Sequence, residues 1–225
     1  MSMPFYVPPE QMMKDRADFA RKGISRGRAL IAAQSADGIL IVAENPSKTL
    51  RKISEIYDRI AFAGVGKYNE FDQLRMLGVR QADLTGFQYA RRDVEARSLV
   101  NQYAQAIGHE FTSGAKPLEV EILVAEVGDD RAGDRLFHIT FDGTVLDEHE
   151  FCVLGGDAEV VHGRMSENRP ADDSLRTTLR SAVGALAGPD RTLGSADVEV
   201  ALLARNGRRR RFERLTVETV AELIS

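Results

Sequence analysis

The apolar positions fall into short runs whose period switches several times along the chain. Ala29 to Ala33 and Ile39 to Ala43 are two such runs, flanking Ala36-Asp37-Gly38. Asp-Gly between apolar, β-branched runs marks a tight hairpin, because both residues tolerate the positive φ that a short turn demands. The runs are close to continuously apolar instead of alternating, which predicts a sheet covered on both faces. Everything before this hairpin reads as an appendage. Pro4, Pro8 and Pro9 make residues 1–9 a tail, since proline fixes φ and removes a donor. A helix is predicted over 10–23, opened by Pro8-Pro9-Glu10 and closed by Gly23, with Met12, Met13, Arg16, Phe19 and Ala20 at helical spacing.

After the hairpin, Ile53–Tyr57 and Arg59–Ala63 read as a second strand pair with Asp58 near its turn. Gly64-Val65-Gly66 closes that pair and opens a helix carrying Phe71, Leu74 and Leu77 on one face. Asp93 is the predicted N-cap of another helix reaching Phe111, with Val94, Leu99, Val100, Tyr103 and Ile107 as its stripe. Thr112 to Pro117 reads as a loop. Strands follow at Val120–Val127, Leu136–Phe141, Val145–Asp147 and Phe151–Leu154, with Asp142-Gly143 as a tight turn. Helices return at Ala158–Met165 and Asp173–Leu186. Val198–Ala204 and Arg210–Leu215 form a last hairpin about Asn206-Gly207, and Val217–Ile224 a terminal helix. Strands and helices thus come in segregated runs. That order predicts an α+β domain spanning 1–225, with two stacked, mainly antiparallel sheets between helical layers, 24–225 forming the sandwich.

Composition adds exclusions. Among 225 residues, 43% are hydrophobic and 28% charged, ordinary for a globular domain. A net charge of -4 gives no global attraction to nucleic acid. No apolar run approaches the roughly 20 residues of a membrane span. The N-terminus lacks a basic region ahead of an apolar core, so no signal peptide is expected. Cys152 is the one cysteine, which rules out an internal disulfide and fits a reducing, cytoplasmic setting.

Candidate chemistry is sparse. Gly23-Ile24-Ser25-Arg26-Gly27 matches Gly-x-Ser-x-Gly, but a nucleophile elbow needs a strand before it and a helix after it, and here the order is reversed. Gly64-Val65-Gly66-Lys67 sits between strand and helix, yet Ala61 and Tyr68 stand where a P-loop has Gly and Ser or Thr. His109, His138, His149 and His162 show no metal-ligand spacing with one another or with Cys152, so neither metal nor cofactor is expected. Arg208 to Arg211 begins at a hairpin tip and reads as a solvated edge that discourages strand pairing.

Three stretches carry a resemblance over essentially the whole chain. They are the helix with Phe19-Ala20-Arg21 leading through a basic connector and Gly27 to Ala29-Leu30-Ile31; Asp37-Gly38-Ile39-Leu40-Ile41-Val42-Ala43; and Lys52-Ile53 leading to Ile60-Ala61-Phe62-Ala63-Gly64. In order and spacing they resemble a proteasome core-particle α subunit of the bacterial single-type kind. The resemblance implies the four-layer αββα sandwich of N-terminal nucleophile hydrolases. It also implies that the catalytic threonine of the β subunits is replaced by Arg28, that Glu44 stands at their acidic position and Lys52 at their catalytic lysine, and that the chain has no catalytic residue of its own.

The same resemblance implies partners. The chain is expected to form a homo-heptamer stacked on catalytic β subunits, with unfolded proteins as substrates in transit. Phe5, Tyr6, Val7, Pro8 and Pro9 are the expected gate, and Thr112, Ser113 and Gly114 the entrance annulus. Lys52 is expected to receive the C-terminal carboxylate of a hexameric ring ATPase, an ammonium suiting a lone carboxylate. An active β-type threonine protease, or another hydrolase of this fold, stays open as an alternative. So does a binding module that uses Arg208–Arg211.

Overall fold

The computed structural model describes residues 8–168 and 172–225. Its strands are β1 (Leu30–Ser35), β2 (Gly38–Glu44), β3 (Ile53–Tyr57), β4 (Ile60–Gly66), β5 (Val120–Glu126), β6 (Arg135–Ile139), β7 (Val145–Glu148), β8 (Phe151–Leu154), β9 (Val198–Ala204) and β10 (Phe212–Arg214). Its α-helices are α1 (Pro9–Ile24), α2 (Tyr68–Gln88), α3 (Ala96–Ser113), α4 (Ala158–Glu167), α5 (Leu175–Ala187) and α6 (Val217–Ile224). The strands form two five-stranded sheets, ordered β10-β9-β2-β1-β8 and β3-β4-β5-β6-β7, and every neighbouring pair is antiparallel.

Side-chain alternation explains the unbroken apolar runs. Leu30 and Ala32 of β1, with Ile39, Ile41 and Ala43 of β2, face the second sheet and meet Ala61, Ala63, Val65 and Leu123. Their neighbours Ile31, Ala33, Leu40 and Val42 face the other way, onto Leu179, Val183 and Leu186 of α5 and Val161 of α4. On the second sheet, Ile60, Phe62, Ile122 and Val124 face α2 and α3 through Phe71, Leu99, Tyr103 and Ile107. The result is helices, sheet, sheet, helices, the predicted αββα order. Each fully buried Ile or Leu in these layers contributes about 1.5–3 kcal/mol, so both faces of both sheets stabilise the fold. Gly38 shows why the hairpin needs glycine: its φ is +142° and a Cβ there would lie 1.9 Å from the Leu203 carbonyl oxygen.

Several boundaries differ from the sequence expectation, each for a physical reason. Helix α1 takes in Pro9, since proline's fixed φ suits the first helical position, and it runs past Gly23 to Ile24. Asp93 is not an N-cap; it closes a 3-10 turn, Arg91–Asp93, and α3 starts at Ala96. There the buried Glu126 carboxylate accepts the Ala96 N–H at 2.8 Å, doing a cap's work from another strand. Thr112 and Ser113 are helical, the Thr112 hydroxyl bonding the Gly108 carbonyl at 2.9 Å, so only Gly114 onward is loop. Helix α5 begins at Leu175, with Ser174 as N-cap accepting the Thr177 N–H. Strand β10 is shorter than expected at Phe212–Arg214, because Arg210 and Arg211 turn to Glu55 and Asp129 instead of extending the strand.

Helix α1 lies across one end of the sandwich. Ala20 and Ile24 bury against Phe141, with Phe111 beside them. Arg16 anchors it, donating to the carbonyls of Phe111 at 2.6 Å, Glu110 at 2.8 Å and Gly114 at 2.9 Å. A cation at the negative end of α3 also satisfies carbonyls the helix leaves unpaired. Replacing Arg16 by Ala removes these bonds, and we expect a loss of about 1–3 kcal/mol and a melting temperature lower by roughly 2–12 °C in thermal unfolding.

Candidate functional site

The site forms where β1 begins and β2 ends. Antiparallel register sets Leu30 opposite Ala43 and Ala43 opposite Glu199, while the Glu44 N–H donates to the Ala29 carbonyl at 3.1 Å. Arg28, just before β1, therefore lies beside Glu44 at the end of β2. Its guanidinium bonds the Glu44 carboxylate. Arg191 grips the same carboxylate at 3.0 and 3.2 Å and donates to the Leu186 carbonyl at 2.8 Å. The Glu44 side chain is only 5% exposed, and burial alone raises a carboxyl's pKa. Hydrogen bonds from Arg191 and Arg28 outweigh that burial, so Glu44 is held below the usual carboxylate range and stays charged.

Lys52 reaches this centre from the bend after β2. Its Nζ donates to the main-chain carbonyl of Arg28 at 2.7 Å. Burial lowers its pKa from 10.5 to about 8; the nearby charges of Glu44 and Glu199 resist the shift, and Arg28 adds to it. The backbone at Lys52 is pinned by Glu199 of β9. That carboxylate accepts the Lys52 N–H at 2.9 Å, the Ile53 N–H at 3.4 Å and the Asn45 amide at 2.8 Å, and it pairs with Arg214. Asn45 also donates to the Leu50 carbonyl at 2.9 Å, so both ends of the bend are tied to one buried acid. A cleft of about 580 Å³ opens next to Arg28 and Glu44, with Gly27, Asp157, Arg164 and Arg191 on its walls.

The structure thus brings Arg28, Glu44 and Lys52 together. Gly114 lies at the end of α3 bonded to Arg16, which joins the residues expected at the annulus to the helix that follows the tail. Pro8 caps α1 and Pro9 is its first residue, while Phe5, Tyr6 and Val7 lie outside the described residues. The two glycine motifs are structural. Ser25 bonds the Lys22 carbonyl at the end of α1, and Gly66 takes φ +100° where a Cβ would meet the Glu119 carbonyl oxygen at 2.0 Å. Glu199, Arg191 and Arg214 escaped the sequence reading. The usable signal was Glu199 itself, a carboxylate inside the apolar run Val198 to Ala204, which must be paired to be buried.

Two stacked antiparallel sheets between helices, with a charged cluster at the head of the first hairpin, define the architecture of the N-terminal nucleophile hydrolases. The chain belongs to the proteasome subunit family, whose sequence profile, described as "Proteasome subunit", matches residues 24–201. It is similar to the proteasome subunit alpha of Acidimicrobium ferrooxidans, with 59% identity over 224 residues covering 100% of this chain and 97% of that relative. Proteasome subunit alpha of a Nocardioides species is 55% identical over 100% of this chain and 90% of its own length. That of Thermomonospora curvata is 53% identical over 100% and 99%. Among the described residues, no helix is long and apolar enough to cross a membrane.

The lowered pKa of Lys52 has a signed consequence. Between about pH 8 and 10.5 the unfolded chain holds the Lys52 proton and the folded chain does not, so folded stability gains with rising pH across that window. Below pH 8 both states are protonated and the burial cost is constant. Denaturant unfolding of the wild type and of Lys52→Met, compared at several pH values, should show their difference moving in favour of the wild type between pH 8 and 10.5 and flat below pH 8.

Proposed function

We propose that this chain is a non-catalytic structural and gating subunit of a proteasome core particle, acting in the cytoplasm. The observation that carries the reading is the occupation of the hydrolase centre by Arg28. A β-type enzyme needs a free amine and a hydroxyl on one residue at the head of the first strand. Here that head is Arg28, whose guanidinium neutralises Glu44 and whose carbonyl engages Lys52. An acid and a lysine are present, and the residue between them has no acyl acceptor. The chain also continues upstream into α1, which packs across the same end of the sandwich.

In this reading seven copies form a ring on the catalytic β subunits, and the segment 1–9 restricts passage of unfolded substrates through the axial pore. Gly114 and its neighbours Thr112 and Ser113 line the entrance. Lys52 retains two N–H donors beyond the one given to Arg28, enough to hold the terminal carboxylate of a ring ATPase. Partial burial strengthens that attraction over one in open water. Glu199 supports the role by fixing the backbone from which Lys52 projects.

Two tests follow. Lys52→Ala, co-expressed with normal β subunits, should still give seven-fold rings in negative-stain images but lose ATPase-stimulated protein degradation; undiminished stimulation in the assembled variant counts against docking at Lys52. Deleting Ser2 to Val7, which spares the Pro8-Pro9 start of α1, should speed hydrolysis of small peptides by the assembled particle while protein degradation without ATPase stays slow. Unchanged peptide rates would remove the gate.

A further inference from the structure

The layer between the two sheets is largely apolar, and one of its edges holds a mixed group of polar side chains. Phe137 and Ile139 of β6 pack toward α2 and α3, so His138 between them faces the opposite way, into the space between the sheets. Cys152 of β8 belongs to that inner layer and is 1% exposed. Glu148, at the end of β7, completes the group: one donor atom each from His138, Glu148 and Cys152 all lie within 4.8 Å of one another. Glu121 of β5 stands alongside, its Oε2 3.5 Å from His138 Nε2. The spacing of these residues in the chain hides the cluster, since each comes from a different strand.

A second observation concerns the two ring nitrogens of His138. His138 Nε2 is buried and makes no hydrogen bond, with the Glu121 carboxylate 3.5 Å away, while Nδ1 lies 4.0 Å from Glu148 Oε1. Each ring nitrogen thus faces a carboxylate without closing a hydrogen bond to it, and a cation held among these groups would satisfy them together. The donor chemistry selects the group. Imidazole, thiolate and carboxylate together favour zinc over the oxygen-seeking magnesium and calcium.

We propose that His138, Glu148 and Cys152 bind one zinc ion, which joins the open edges of the two sheets. Tetrahedral zinc places its ligand atoms about 3.3–3.8 Å apart, so side-chain rotation of about 1 Å brings the three donors into place. Binding releases the Cys152 proton to solvent, and the thiolate and the Glu148 carboxylate then balance the divalent charge. Without metal, burial and the charges of Glu148 and Glu121 hold that thiol well above its ordinary pKa, and a cation among them reverses the balance. Glu148 is 32% exposed, which gives the ion an entry path and leaves the fourth position to water.

The test uses the full chain stripped with a chelator. Cobalt(II) added to it should give a thiolate-to-cobalt charge-transfer band in the near ultraviolet, and one equivalent of zinc should abolish that band. Free zinc at a hundred times its dissociation constant should raise the melting temperature by roughly 5–10 °C. Cys152→Ala and His138→Asn, each checked by circular dichroism, should lose both effects. Glu148→Gln, at the exposed rim, should weaken zinc by about tenfold or more even if the inner variants fold poorly. Absence of the band in the wild type, persistence of the zinc shift in Cys152→Ala, or undiminished affinity in Glu148→Gln would overturn the site.

Discussion

The register of β1 against β2 is the constraint on which the rest depends. Leu30 opposite Ala43 fixes which side chains face the second sheet and which face α4 and α5. A slip of one residue would turn Ile31 and Val42 into the wrong layer and expose the other set to helices shaped for them. The same register places Arg28 beside Glu44. Core packing and the charged centre are therefore consequences of one pairing, pinned at its turn by Gly38.

Around that centre the charges form two linked groups. Glu44 is shared by Arg28 and Arg191, and Glu199 by Arg214, Asn45 and the backbone of Lys52. Both carboxylates are nearly fully buried, at 5% and 2% side-chain exposure. Taking Glu199 away would leave the backbone N–H groups of Lys52 and Ile53 and the Asn45 amide without their acceptor, which costs more than the lost bonds themselves. Lys52 sits between the groups and carries the strain of burial without a carboxylate of its own. An anion arriving there would meet a cation only partly neutralised, which is the physical content of the docking proposal.

Much of this was legible in the chain. Unbroken apolar runs around Asp37-Gly38 announced a sheet covered on both sides, and the segregated order of strands and helices announced the layers. Arg28, Glu44 and Lys52 were named through the family resemblance, and hairpin register explains why the first two meet. What escaped was long-range. Glu126 caps α3 across the fold in place of Asp93, Glu199 holds a bend 147 positions away, and four strands supply the group around His138. No local pattern encodes such contacts, since a side chain's partner on another strand depends on sheet order. The end of α3 shifted for the same reason: Arg16 closes it from outside, so Thr112 and Ser113 need no cap of their own.

That clasp has a mechanical meaning. Three hydrogen bonds from one guanidinium make α1 and the end of α3 a single stiff part, backed by Ala20 and Ile24 against Phe141. α1 cannot shift against the end of α3 without breaking the bonds to Phe111, Glu110 and Gly114. The helix is a collar fastened to its neighbour at one guanidinium, so the position of the chain's entry into the sandwich and the end of α3 are set together.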